Sequence, residues 1–116
     1  MRHRLIVLIL PALLLGAAAA YAHAHLERAS PAPDSTVPTA PPEVTIWFTQ
    51  QLEPAFSSAQ VSDAAGARVD EGARVDGTQM HVALKPLPPG AYKVHWKVLS
   101  VDAHTTEGNF SFRVGP

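Results

Sequence analysis

Ala91-Tyr92-Lys93-Val94-His95-Trp96-Lys97-Val98-Leu99-Ser100-Val101 is the stretch that decides the fold. Tyr92, Val94, Trp96 and Val98 fall on alternate positions, with Lys93, His95 and Lys97 between them. Successive side chains of an extended chain point to opposite faces, so the alternation predicts a long strand with one buried and one wet face. After a polar corner at 102–108, residues 109–114 repeat the pattern and close the domain, with Phe110, Phe112 and Val114 inward and Ser111 and Arg113 outward.

Working back toward the N-terminus, the same alternation recurs. Residues 78–84 place Met80, Val82 and Leu84 on one face, and the proline-rich 85–90 that follows is a turn on composition. Val44, Ile46 and Phe48 share one face of a β-branched, aromatic segment whose Trp47 points the other way. Residues 59–63 form another strand with Val61 inward, after a connection at 50–57 containing Pro54. A near-duplicate, Gly66-Ala67-Arg68-Val69-Asp70 and Gly72-Ala73-Arg74-Val75-Asp76, reads as two short polar β segments or a solvated loop, too little for a repeat architecture. Residues 23–29 read as a first, partly exposed strand, ended by the prolines at 31 and 33. About seven short strands, many proline turns and no helix predict an all-β, Ig-like or cupredoxin-like Greek-key β-sandwich.

Residues 1–22 read as a secretory signal peptide. Arg2 and Arg4 precede an apolar run at 5–15, and small residues lead into Ala20-Tyr21-Ala22. The run is shorter than the ~20 residues of a spanning helix. Removal after Ala22 leaves 23–116, enough for one domain with one core. A second possible site, Ala22-His23-Ala24, would expose His25 instead. The processed chain carries seven basic residues against ten acidic ones and no basic cluster, which argues against a nucleic-acid partner. No second apolar run is long enough to span a bilayer, so the mature form is expected not to be membrane-embedded. The chain has no cysteine. No disulfide staples the fold, and any metal must be held by histidine, carboxylate, methionine or the terminal amine.

Asp102 and His104 are two apart, and on an extended backbone both point to one side. Alone, such a pair reads more simply as a solvated corner. A mature N-terminal His23 changes the odds, because its amine and imidazole can chelate one ion together. With His104 and Asp102 this gives three nitrogens and one oxygen, a tetragonal set suited to Cu(II) or Ni(II), of which Cu(II) binds such sites more tightly. The nitrogen donors must be deprotonated, so binding weakens on acidification. His25 is an added ligand, a replacement for His23 after later cleavage, or an exposed strand histidine. His81 and His95 lie opposite the apolar stripes and read as surface residues, and Met80 reads as core. Neither a Gly-x-Ser-x-Gly nor a phosphate loop is present, so no catalytic residue is assigned. The rival readings are an Ig-like interaction module and, less in keeping with a carboxylate in the ligand set, a copper oxygenase-like enzyme.

In order and combination, several segments resemble the CopC family of periplasmic copper-binding proteins, including its short YobA-type members. They are His23-Ala24-His25-Leu26 with Ser30-Pro31-Ala32, Trp47-Phe48-Thr49, Pro89-Gly90-Ala91-Tyr92-Lys93-Val94-His95-Trp96, Ser100-Val101-Asp102-Ala103-His104, and the run from Gly108 to Phe112. The resemblance implies a cupredoxin-like β-barrel or sandwich in the periplasm and a role in copper resistance or homeostasis. It also implies one Cu(II) per chain, held by His23, Asp102 and His104. Some members carry a methionine-rich loop that binds Cu(I), whereas residues 61–77 here contain no methionine. A Phe-Ser-Glu of some relatives is Phe48-Thr49-Gln50 here. Other members are fused to a membrane copper importer, so an inner-membrane copper transporter of the CopD type is expected as a separate partner.

Overall fold

The structure, a computed structural model, describes residues 24–116. The expected signal peptide and His23 lie outside the described residues. Eight strands follow one another, β1 (Leu26–Ser30), β2 (Thr36–Val37), β3 (Glu43–Phe48), β4 (Ser58–Asp63), β5 (Asp70–Asp76), β6 (Gln79–Leu84), β7 (Gly90–Leu99) and β8 (Thr105–Val114). A single 3-10 turn, Pro54–Phe56, lies in the connection between β3 and β4. Among the described residues no helix is long and apolar enough to cross a membrane.

The strands form two four-stranded sheets, ordered β1-β3-β6-β5 and β2-β8-β7-β4. Their facing rows make the core. Val44, Ile46, Met80 and Val82 of the first sheet and Val61, Val94 and Val98 of the second are fully buried. Between them Phe48 meets Trp96 edge-on at 5.2 Å, and Tyr92 stacks on Phe112 at 5.6 Å. Trp47 points outward as expected, where the Arg28 guanidinium lies 3.7 Å from its ring centre. The sandwich expected from alternation is therefore the sandwich observed.

Three details differ from the sequence expectation. The first strand begins at Leu26 rather than at residue 23, and β8 begins at Thr105 inside the expected corner. Ten residue pairs join β7 to β8, from Gly90 opposite Val114 to Leu99 opposite Thr105. Gly108, a poor strand former, sits in this ladder because the Trp96 indole occupies the space where a side chain would be. A Cβ there would stand 2.6 Å from Trp96 Cζ2.

The third difference is Asp70, expected in a polar segment but almost wholly buried. Its Oδ1 accepts the Val61 amide of β4 at 2.9 Å and Arg68 Nε at 3.0 Å. Its Oδ2 accepts Arg68 Nη2 at 2.8 Å and the Gly72 amide at 3.3 Å. β4 is an edge of one sheet and β5 an edge of the other, so this carboxylate ties the two sheets along one seam. Burial would raise its pKa. The Arg68 and Val61 hydrogen bonds, with the Arg68 charge, outweigh that and hold it below the ordinary aspartate value.

Two predictions follow from this packing. Gly108→Ala, which drives a methyl into a rigid indole, should cost about 1–3 kcal/mol in urea unfolding. Asp70→Ala should cost roughly 2–4 kcal/mol at neutral pH, because it strands the Val61 amide and unpairs Arg68. A depressed folded pKa contributes stability above the unfolded value, about 3.9, and loses it as pH falls through the lower folded value. The gap between wild type and Asp70→Ala should therefore shrink below about pH 4; a gap that stays constant or widens there would refute this account of Asp70.

Candidate metal centre

The loop from β7 to β8 is shaped by backbone hydrogen bonds before any side chain acts. The Ala103 amide donates to the Ser100 carbonyl at 2.9 Å, and the Ser100 amide donates to the His104 carbonyl at 2.9 Å. Ala103 has a φ of 73°, in the left-handed region. A tight turn closed by one left-handed residue is a common end for a strand pair. It bends the chain so that Asp102 and His104 meet, with His104 Nδ1 3.4 Å from Asp102 Oδ1. The two side chains thus meet each other, a contact that a solvated corner also gives. The backbone that brings them together is a turn, not the extended i, i+2 segment expected.

Ser100, fully buried, is the pivot. Its hydroxyl donates to Asp102 Oδ1 and accepts the His104 amide at 3.3 Å. The Ser100 hydrogen bond, helped by the His104 side chain, outweighs desolvation and holds the Asp102 carboxyl below its usual range. Asp102 is therefore an anionic oxygen donor at neutral pH. The side chains stay open to solvent, His104 46% and Asp102 38% exposed, so an incoming ion can reach both. The 50–57 connection braces the corner from behind, where the Val101 amide donates to the Gln51 carbonyl at 3.0 Å and the Glu53 amide to the Leu99 carbonyl at 2.8 Å.

The start of the described chain is fastened beside this corner. Ala24 is fully buried, and its carbonyl accepts the hydroxyl of Thr106, two residues beyond His104, at 2.6 Å. The His25 amide donates to Thr49 Oγ1 at 3.0 Å, and the Thr49 amide donates to the His25 carbonyl at 2.9 Å. His25 itself is exposed at the entrance to β1. Among the described residues no three His, Asp or Glu side chains gather in a metal-holding group. Asp102 and His104 form a pair, and His25 is not brought into a cluster with them.

The other histidines are engaged on the outer faces. His81 Nδ1 lies 3.1 Å from Glu43 Oε1, with Thr45 Oγ1 3.2 Å from the same oxygen. His95 Nε2 lies 3.3 Å from Glu107 Oε2, and its Nδ1 2.9 Å from Asn109 Oδ1. Met80 is fully buried, so its thioether is shut away from any ion. The donors open at the corner are a carboxylate and an imidazole, hard-to-borderline groups with no soft sulfur beside them.

Sequence reasoning missed Ser100, Thr49 and Thr106. Ser100 could have been suspected, since a hydroxyl two residues before a turn aspartate often bonds it. Nothing local announces Thr106, whose partner is 82 residues away.

Comparison with known proteins bears on the whole domain. Protein YobA of Escherichia coli K12 is 35% identical over 99 residues, covering 81% of this chain and 80% of the relative. Copper resistance protein C of Xanthomonas campestris pv. juglandis is 34% identical over 116 residues, covering 91% of each. The crystal structure of CopC from Methylosinus trichosporium OB3b superposes with a TM-score of 0.77 at 35% identity, over 81% of this chain and 95% of that one. The CopC domain model matches residues 26–115, which include every strand of the two sheets, and the chain belongs to the CopC copper-resistance family.

Proposed function

We propose that the chain is a periplasmic Cu(II) carrier or buffer that holds one ion without catalysis, through the His23 amine and imidazole, Asp102 and His104. One observation carries this reading. The chain's entry, with Ala24 tied to Thr106, lies beside an exposed and already paired Asp102 and His104. His23 is one peptide bond, about 3.8 Å between Cα atoms, ahead of Ala24. The donor chemistry fits, since the chain has no thiol and Met80 is buried. Copper resistance in a relative's name supports copper as the cargo.

Each residue has a part in this scheme. Asp102 supplies an anionic oxygen that Ser100 holds in place, and His104 supplies a neutral imidazole nitrogen. Asp102 completes the set and favours holding the ion over activating a bound substrate. Export rests on the signal-like pattern at 1–22, whose removal after Ala22 would free the amine of residue 23 and leave 23–116 as the working domain. Loading or unloading is assigned to a separate inner-membrane copper transporter of the CopD type.

The test is a Cu(II) titration against a competing chelator, using processed protein whose N-terminus is verified as His23. One equivalent should bind tightly. Asp102→Ala, His104→Ala or one extra residue ahead of His23 should weaken binding by more than the roughly 10–100-fold that loss of an outer-shell partner costs. Weak binding indifferent to all three would overturn the site. Ser100→Ala should weaken binding by about 10–100-fold while leaving the ligands intact.

A further inference from the structure

The processed N-terminus offers copper a second home, and two threonines stand against it. A chain beginning His23-Ala24-His25 presents a terminal amine, two backbone amide nitrogens and the imidazole of its third residue. Those four nitrogens can enclose Cu(II) or Ni(II) in one plane, a geometry both ions favour. The two amide protons leave to water as the metal–nitrogen bonds form, and no oxidant or reductant is needed. This arrangement takes nothing from the rest of the fold, so it competes with any site that uses Asp102 and His104.

It has one structural requirement. The amide nitrogens of Ala24 and His25 must turn onto the ion, which the folded chain resists at three points. The His25 amide is donated to Thr49 Oγ1 at 3.0 Å. The His25 carbonyl is held by the Thr49 amide at 2.9 Å. Ala24, fully buried, has its carbonyl held by Thr106 Oγ1 at 2.6 Å. Thr49 directly follows β3 of one sheet and Thr106 belongs to β8 of the other, so the segment is clamped from both layers.

We infer that Thr49 and Thr106 are positioning residues that decide which copper site forms. By holding both ends of the peptide that joins residues 24 and 25, they withhold the His25 amide and direct the ion to His104 and Asp102. This rests on the proposed site of His23, Asp102 and His104, and it assigns His25 no ligand role in the folded protein.

The experiment records the Cu(II) visible absorption and electron paramagnetic resonance spectra of processed protein beginning at His23. The variants are Thr49→Val, Thr106→Val, their combination and Thr106→Ser, each with and without His25→Ala or His104→Ala. The wild-type spectrum should change with His104→Ala and ignore His25→Ala. In the combined valine variant the absorption band should move to shorter wavelength, because amide nitrogen replaces oxygen in the plane. The spectrum should then depend on His25, and His104→Ala should lose its effect of about tenfold or more on affinity. Thr106→Ser should behave as wild type. Thr49→Val alone keeps the backbone pairing with His25 and leaves the buried Ala24 undisturbed, so it reads the same shift in partial form even if the combination unfolds. If the valine variants keep the wild-type spectrum and its dependence on His104, the clamp is overturned and the site stands. If the wild-type spectrum already depends on His25 and not on His104, both are overturned.

Discussion

The fit of the Trp96 indole against Gly108 fixes the pairing of β7 with β8, and much else follows from that pairing. Only a residue without a side chain can lie opposite the indole. A slip of one residue would turn every inward aromatic outward. The register therefore has one solution, with Leu99 opposite Thr105 at its open end. That leaves five residues, Ser100 to His104, to turn the chain. The closeness of Asp102 to His104 is thus set by packing at the centre of the sandwich, not by attraction between the two side chains, which solvent weakens at such exposed positions.

Much of the fold was legible because its signal is local. The alternation of Tyr92, Val94, Trp96 and Val98, or of Met80, Val82 and Leu84, is visible to anyone counting by twos. What escaped depends on partners distant in sequence. Gly108 looked like a corner residue until Trp96 was placed across from it. Asp70 looked solvated because nothing near it in sequence says that the Val61 amide will need an acceptor. The candidate site divides the same way. Asp102 and His104 are close in sequence, so their meeting could be anticipated. The hydroxyls that organise the surroundings, on Ser100, Thr49 and Thr106, were not anticipated, because a threonine in a strand is unremarkable until its partner is known.

Rigid and exposed parts are kept apart in this small domain. Asp70 shows what a carboxylate does when it is structural: it is shielded from water, has four donors around it and joins two sheets. Asp102 shows the opposite, a carboxylate oriented by one buried hydroxyl and the neighbouring His104 and still open to solvent. An exposed charge costs little to maintain without a metal, whereas a buried one would need its ion in order to fold. The outer-face histidines, His81 and His95, each lie against a glutamate, as His104 lies against Asp102.

The left-handed backbone at Ala103 also limits how this corner can vary among related chains. A positive φ is tolerated by glycine, by asparagine or aspartate, and at some cost by alanine, but it is sterically hostile to valine, isoleucine and threonine. The residue between the aspartate and the histidine is therefore a marker of the turn, although it touches no ion. A distant relative with Asp-Gly-His or Asp-Asn-His at this place can build the same corner. One with Asp-Val-His has the same two side chains at the same spacing, yet its backbone would have to take another path, and the two groups would not meet in this way.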